Sequence, residues 1–131
     1  MKTKVLSVGR LTKKLETVFN EFIRKRDEGL GCISCGSFNE IQAGHFYNVG
    51  HFSWLRFNED NCHSQCKRCN YFLRGNLLPY RENLIKKIGE EKFKLLEIKS
   101  SIRKISRYSR FELEVLIEYY KTKIKELKKA A

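Results

Sequence analysis

Four of the five cysteines fall in two pairs of identical spacing, Cys32-Ile-Ser-Cys35 and Cys66-Lys-Arg-Cys69. Two intervening residues let both thiolates of a pair turn toward one ion, and two such pairs complete a tetrahedral four-sulfur site of the kind that holds structural zinc. One zinc per chain on Cys32, Cys35, Cys66 and Cys69 is therefore expected. Redox chemistry would need only one pair, in a thioredoxin-like setting that the flanking residues do not suggest. Four thiolates leave no open coordination position, so such a zinc is a staple and not a catalyst. Cys62 is left over and reads as a buried apolar thiol. A staple suits a chain of 131 residues with 41% hydrophobic content, about one domain with a modest core. A single domain over 1–131 is expected.

The formal net charge is +12 and the sequence pI is near 9.6. That balance favours a polyanion, nucleic acid first, with an acidic membrane surface as the rival. The charge is uneven: residues 1–31 carry net +4, residues 32–78 net +1 and residues 79–131 net +7. The cysteine-rich centre is nearly neutral and the flanks supply the positive field. The N-terminal MKTKVLSVGRLTKK has no apolar signal region, and no apolar run reaches membrane-spanning length. A soluble, cytoplasmic protein is expected, in a compartment where cysteines stay reduced.

Hydrophobic spacing places the elements. Leu15, Val18, Phe19, Phe22 and Ile23 recur at threes and fours and predict a helix over 11–28, ended by Gly29 and Gly31. Residues 40–65 read as a long-looped hairpin, with EIQAGHF as one strand and NCHSQ as the return. The second cysteine pair then opens a helix from Lys67 to about Leu73. Residues 79–131 read as a basic helical region that starts near Pro79. If residues 99–110 are helical, Lys99, Arg103, Arg107 and Arg110 share one face beside Ile98, Ile102 and Ile105. Ser109-Arg-Phe-Glu112 is a capping box for the last helix. That helix carries Leu113, Ile117, Tyr120, Ile124 and Leu127 at 4-3-4-3 spacing. The seam reads either as a packed face or as a short coiled-coil contact that makes a homodimer through the C-terminal helix.

Strand, strand and helix between two zinc knuckles make an α+β frame: a small zinc-stapled ββα core over 32–78, flanked by helices. His45 ends the first strand, Asn61 lies in the return strand, and Asn70 follows Cys69 directly. This resembles the HNH (ββα-metal) endonuclease pattern. The four-cysteine staple followed by asparagine is also similar to that of phage endonuclease VII. The stretches CISCG, QAGHF, LRFNEDNCHSQCKRCN, LRGN and YR resemble the lambdoid phage NinG (Rap) recombination-nuclease family. The resemblance covers residues 27–89 and is specific through 32–76. It implies a metal-dependent DNA endonuclease acting in recombination on branched DNA such as D-loops and Holliday junctions, in the host cytoplasm if phage-encoded.

Phosphodiester hydrolysis needs an activated water and charge relief on the phosphate. A neutral imidazole is a natural base near pH 7, and His45 is the candidate. Asn61 corresponds to the family's loop-organising asparagine, which orients the histidine. The pattern's acid just before that histidine is absent, because position 44 is glycine. His63 and Asn70 are therefore assigned to a catalytic Mg²⁺ or Mn²⁺, hard cations that suit oxygen donors and an occasional imidazole. His51 has no part in the pattern. Arg56, Lys67, Arg68 and Arg74 are expected phosphate contacts near the site, and Lys99, Arg103, Arg107 and Arg110 more distant ones. The missing acid keeps a rival alive: a zinc-stabilised DNA-binding module without catalysis. A third class is a zinc-stabilised adaptor that binds protein through the 4-3-4-3 seam.

Overall fold

The first helix, α1 (Val8–Arg26), starts where Ser7 Oγ accepts from the Arg10 N–H at 3.2 Å. That cap lies outside the expected 11–28 span and lengthens the helix at its N-terminal end. Its buried stripe is Leu11, Leu15, Val18, Phe19, Phe22 and Ile23. The stripe packs on the last helix, α4 (Arg110–Ala130), with the Phe19 and Tyr120 rings edge to face at 5.1 Å. α4 opens with the expected capping box: Ser109 Oγ accepts the Glu112 N–H, and Glu112 Oε1 accepts the Ser109 N–H. In this computed structural model, which describes residues 5–104 and 107–131, the seam of Leu113, Ile117, Tyr120 and Ile124 is buried against α1, with Leu127 partly covered. Of the two readings of that seam, the packed face is the one this chain displays. The surface is consumed within the chain, because α1 carries a complementary apolar stripe.

Two antiparallel strands follow, β1 (Ile41–His45) and β2 (Cys62–Cys66), in a register that runs from Ile41 opposite Cys66 to His45 opposite Cys62. Alternation along the strands puts Ile41, Ala43, His45, Cys62, Ser64 and Cys66 on one face, and Gln42, Gly44, His63 and Gln65 on the other. Ala43 and Cys62 of the first face pack with α1. The second face meets α2 (Leu77–Ile88), whose Tyr80 hydroxyl donates to the Gly44 carbonyl at 2.7 Å. α3 (Glu90–Ser101) follows across Gly89, whose φ of 89° a side chain would resist. Leu55, Tyr80, Leu84, Phe93 and Leu96 form a second core between the hairpin loop and these helices.

Two helical expectations are revised. The stretch after the second cysteine pair is only a short π-type turn, Arg68–Phe72, because Arg74, Gly75 and Asn76 all take left-handed backbone conformations. α3 stops at Ser101, where Ile102 turns extended with φ −106° and ψ 90°. Residues 99–110 are thus not one helix, and the expected single basic face is broken; Ile105 of its stripe lies outside the described residues. The architecture is α+β, with a small two-stranded sheet and a four-cysteine cluster. Among the described residues, no helix is long and apolar enough to cross a membrane.

Candidate functional site

The two cysteine pairs meet at the Ile41–Cys66 end of the hairpin. The Sγ atoms of Cys32, Cys35, Cys66 and Cys69 lie within 4.8 Å of one another, with Cys35 and Cys66 at 3.6 Å. Tetrahedral zinc with bonds of about 2.3 Å would set its sulfurs about 3.8 Å apart, so the cluster can hold one metal ion. The Cys35 N–H points at Cys32 Sγ (3.4 Å), the Cys69 N–H at Cys66 Sγ (3.5 Å), and Asn76 Nδ2 at Cys69 Sγ (3.4 Å). These donors favour thiolate. Cys62 stands apart, fully buried in the helical core, and burial pushes its thiol far up.

At the other end of β1, His45 Nε2 lies 2.9 Å from the Arg56 carbonyl. A carbonyl only accepts, so Nε2 carries the proton and Nδ1 keeps its lone pair. Burial, the largest influence, lowers the imidazole from its ordinary value, so the ring is neutral at pH 7. Asn61 holds the loop that carries Arg56. Its Oδ1 accepts the Tyr47 N–H at 2.8 Å, and its Nδ2 donates to the carbonyls of Tyr47 (3.0 Å) and Leu55 (3.2 Å). This side chain is fully buried and spans both limbs of the loop. His51 is exposed and is turned onto Asn48 Oδ1.

His63 does not take the place assigned to it. Its Nε2 donates to the Asp60 carbonyl at 2.8 Å, and its Nδ1 accepts from Lys87 Nζ (2.8 Å) and Arg26 Nη2 (3.0 Å). Both ring nitrogens are occupied, and the residue is 1% exposed, so it has no lone pair to give a cation. Burial, then the charges of Lys87 and Arg26, push its pKa down to about 3. The group at the centre of this network is Asp27, which falls inside the expected 11–28 helix span and had no role assigned from the sequence. Arg26 grips its carboxylate at 2.8 and 2.9 Å, Lys87 pairs with it at 2.8 Å, and the Ser64 N–H donates at 2.9 Å. Burial opposes its ionisation, but these donors outweigh that and hold its pKa at about 2. An acid at a helix C-terminus opposes the helix dipole, and that local misfit was the available signal for a tertiary role.

Asn70 bonds to the sheet face opposite His45. Its Nδ2 donates to Gln42 Oε1 at 2.9 Å, which leaves Oδ1 as the free oxygen. Gln42 is three residues from His45, about 10 Å along the strand. The structure therefore does not bring Asn70 to His45, and with both His63 ring nitrogens occupied the expected cation pair does not fit. The glycine at position 44 has a spatial cause. A Cβ there would stand 2.0 Å from Gln65 Oε1 and 2.9 Å from Gln65 Cβ. Gln65 is fully buried, with its Nε2 on Ser34 Oγ (2.9 Å) and the Gly75 carbonyl (2.6 Å), and its Oε1 has no partner.

The expected basic residues divide into groups. Arg56, Arg103 and Arg107 line one cleft of about 380 Å³, together with Lys104, Trp54 and Tyr108. The clustering of Lys104 with the arginines was missed because it depends on the chain leaving α3. Lys99 borders the adjacent cleft and its carbonyl accepts from Trp54 Nε1 at 2.7 Å. Arg110 is drawn inward and donates to the Leu6 carbonyl, tying α4 to the segment before α1. Lys67, Arg68 and Arg74 are exposed beside the second cysteine pair.

Comparison with known proteins adds kinship. A family model described as Bacteriophage Lambda NinG protein matches residues 1–130. The chain is 41% identical over 118 residues to protein ninG of Escherichia phage lambda, covering 88% of this chain and 56% of that protein. It is 40% identical over 118 residues to protein ninG of Escherichia phage 933W and 39% to that of Salmonella phage P22, in each case over 88% of this chain and 57% of the relative. The chain thus spans a little over half the length of these curated relatives. No solved structure matches.

Proposed function

The chain belongs to the NinG family of lambdoid phage proteins, and we propose that it is a DNA endonuclease of recombination, acting on branched DNA such as D-loops and Holliday junctions. The observation that carries this reading is the state of His45. Its Nε2 proton is committed to the Arg56 carbonyl, so the neutral ring offers Nδ1 as a base. Arg56, whose carbonyl accepts from His45, lines a cleft with Arg103, Lys104 and Arg107, which supply the positive field that a phosphodiester requires. In this reading a water on the phosphate side of His45 gives its proton to Nδ1 as its oxygen attacks phosphorus, the P–O bond to the departing sugar oxygen breaks, and that oxygen takes a proton from solvent, while Asn61 keeps the Arg56 loop in place. The four-cysteine cluster binds zinc as a structural staple that sets the hairpin.

His45→Ala should keep its zinc and its affinity for a four-way junction while cleavage falls by about 10²–10⁴-fold, the usual worth of a positioned base. The assay is cleavage of labelled linear and four-way DNA, with a denaturation curve as the folding control. Run with Mg²⁺, with Mn²⁺ and with EDTA, it also measures the cation requirement, for which Asn70 Oδ1 is the one expected ligand atom left free. Activity of the wild type should rise with pH through a midpoint below the ordinary histidine value, because the base works only when unprotonated. Undiminished cleavage by the alanine variant would remove His45 from the chemistry.

A second reading has its own support: a zinc-stabilised DNA-binding module without catalysis. Position 44 has no room for an acid and His63 is locked inside, so no assembled cation site accompanies His45 among the described residues. Junction binding by the wild type without cleavage under any of the cation conditions selects this module.

A further inference from the structure

The turn after the second cysteine pair exposes its large side chains. Tyr71 is 70% and Phe72 65% accessible, and their rings meet edge to face at 5.0 Å. The backbone beneath them is held firmly. The Leu73 N–H donates to the Arg68 carbonyl at 2.8 Å and the Gly75 N–H to the Cys69 carbonyl at 2.7 Å. Gln65 Nε2 and Ser34 Oγ grip the carbonyls of Gly75 and Asn76 from inside. Arg74 and Asn76 keep φ values of 49° and 42°, a conformation that non-glycine residues hold only when their surroundings enforce it. The two rings thus stand on a rigid support and do not fold back onto the core.

The chemistry around them selects the occupant. Lys67, Arg68 and Arg74 are all exposed, and among the described residues no carboxylate pairs with them. No acid occurs in the sequence between Asp60 and Glu82. Cations around bare aromatic rings match a phosphate backbone whose bases are free to stack. A continuous duplex hides its base faces, whereas a branch point or a single strand presents them.

We propose that Tyr71 and Phe72 stack on unpaired bases at a DNA branch, with Lys67, Arg68 and Arg74 holding the flanking phosphates. This rests on the DNA reading above and adds to it a physical basis for preferring branched over linear DNA. The test uses the zinc-loaded full chain and fluorescence anisotropy with a linear duplex, a four-way junction and a single strand. Tyr71→Ala/Phe72→Ala should weaken junction and single-strand binding by roughly 10- to 100-fold. Linear-duplex affinity, zinc content and the melting curve should stay near wild type, because both side chains are exposed. Tyr71→Phe/Phe72→Tyr, which keeps two rings, should retain junction affinity. Equal losses on junction and linear duplex overturn the proposal, as does unchanged junction binding. Loss of self-association on sedimentation with DNA binding intact makes the patch a contact with a second copy and equally overturns it. A wild-type chain that binds no DNA refutes the DNA reading itself; a binding wild type with an unaffected alanine variant refutes only the stacking role.

Discussion

Installing a side chain at position 44 tests whether space, and not chemistry, keeps the residue beside His45 a glycine. In Gly44→Ala the new Cβ would meet Gln65 Oε1 at 2.0 Å, Cβ at 2.9 Å and Cδ at 3.0 Å. Moving Oε1 alone loses nothing, since it has no partner. The Cβ contact, whose place the backbone fixes, is relieved only by a small shift of the paired strands, and the Cδ contact requires the side chain to turn. That takes Nε2 from Ser34 Oγ and the Gly75 carbonyl. Overpacking costs about 1–3 kcal/mol, and each buried polar group left unsatisfied about 1–3 kcal/mol more. A loss of about 3–5 kcal/mol is expected, a large share of the roughly 5–15 kcal/mol that holds a small domain. Urea denaturation of the zinc-loaded protein measures it. Gln65→Ala is destabilising alone, but combining it with Gly44→Ala should cost less than the sum of the two by about 1–2 kcal/mol, because the contacts with Oε1 and Cδ are gone and only the Cβ contact remains. Gly44→Asp, which supplies the absent acid, should unfold more easily still and gain no cleavage. A Gly44→Ala loss below about 1 kcal/mol, or strict additivity with Gln65→Ala, would refute the steric argument.

Other tests follow from the same geometry. Cys66→Ala should lose the bound zinc and melt far below the wild type, because metal binding and folding are one equilibrium in such a site, whereas Cys62→Ser should keep its zinc by elemental analysis. The unfolded chain protonates histidine near 6.5, but His63 in the fold refuses the proton until about pH 3. Stability is therefore complete above about pH 6.5 and falls as pH drops toward 3, by up to about 1.4 kcal/mol per pH unit. Asp27, held at about 2 against an ordinary 3.8, adds about 2 kcal/mol that disappears between pH 4 and 2. Urea titrations across this range with zinc content followed in parallel should show a flatter upper limb for His63→Gln, and an unchanged slope there would contradict the burial argument. Replacing Arg103, Lys104 and Arg107 by alanine should reduce the slope of log affinity against log salt by up to about 0.9 per lost phosphate contact. Arg110→Ala should leave that slope alone and lower stability instead, since its guanidinium serves the Leu6 carbonyl.

The parts legible in the sequence are those written by local periodicity and spacing. Two CxxC pairs can converge on one ion whatever surrounds them, and their four Sγ atoms cluster here within reach of one. The α1 stripe, the Ser109–Glu112 capping box and the facing strands near EIQAGHF and NCHSQ each follow from residues within a few positions of one another. Side-chain partnerships across the fold were not legible in that way. The same 4-3-4-3 pattern describes a helix that pairs with another chain or with α1, and only the presence of a matching stripe across a loop decides which. Strand alternation put His63 on the face away from His45, where Asp27, Arg26 and Lys87 converge from two different helices, so a residue that reads as a metal ligand is an interior hydrogen-bond hub. Arg103 and Arg107 left the expected helix face because α3 stops at Ser101, yet they met Arg56 across the chain. Spacing determines which atoms can share a neighbour along the backbone; only the closing of distant elements against one another determines which polar groups lose water and must find a partner.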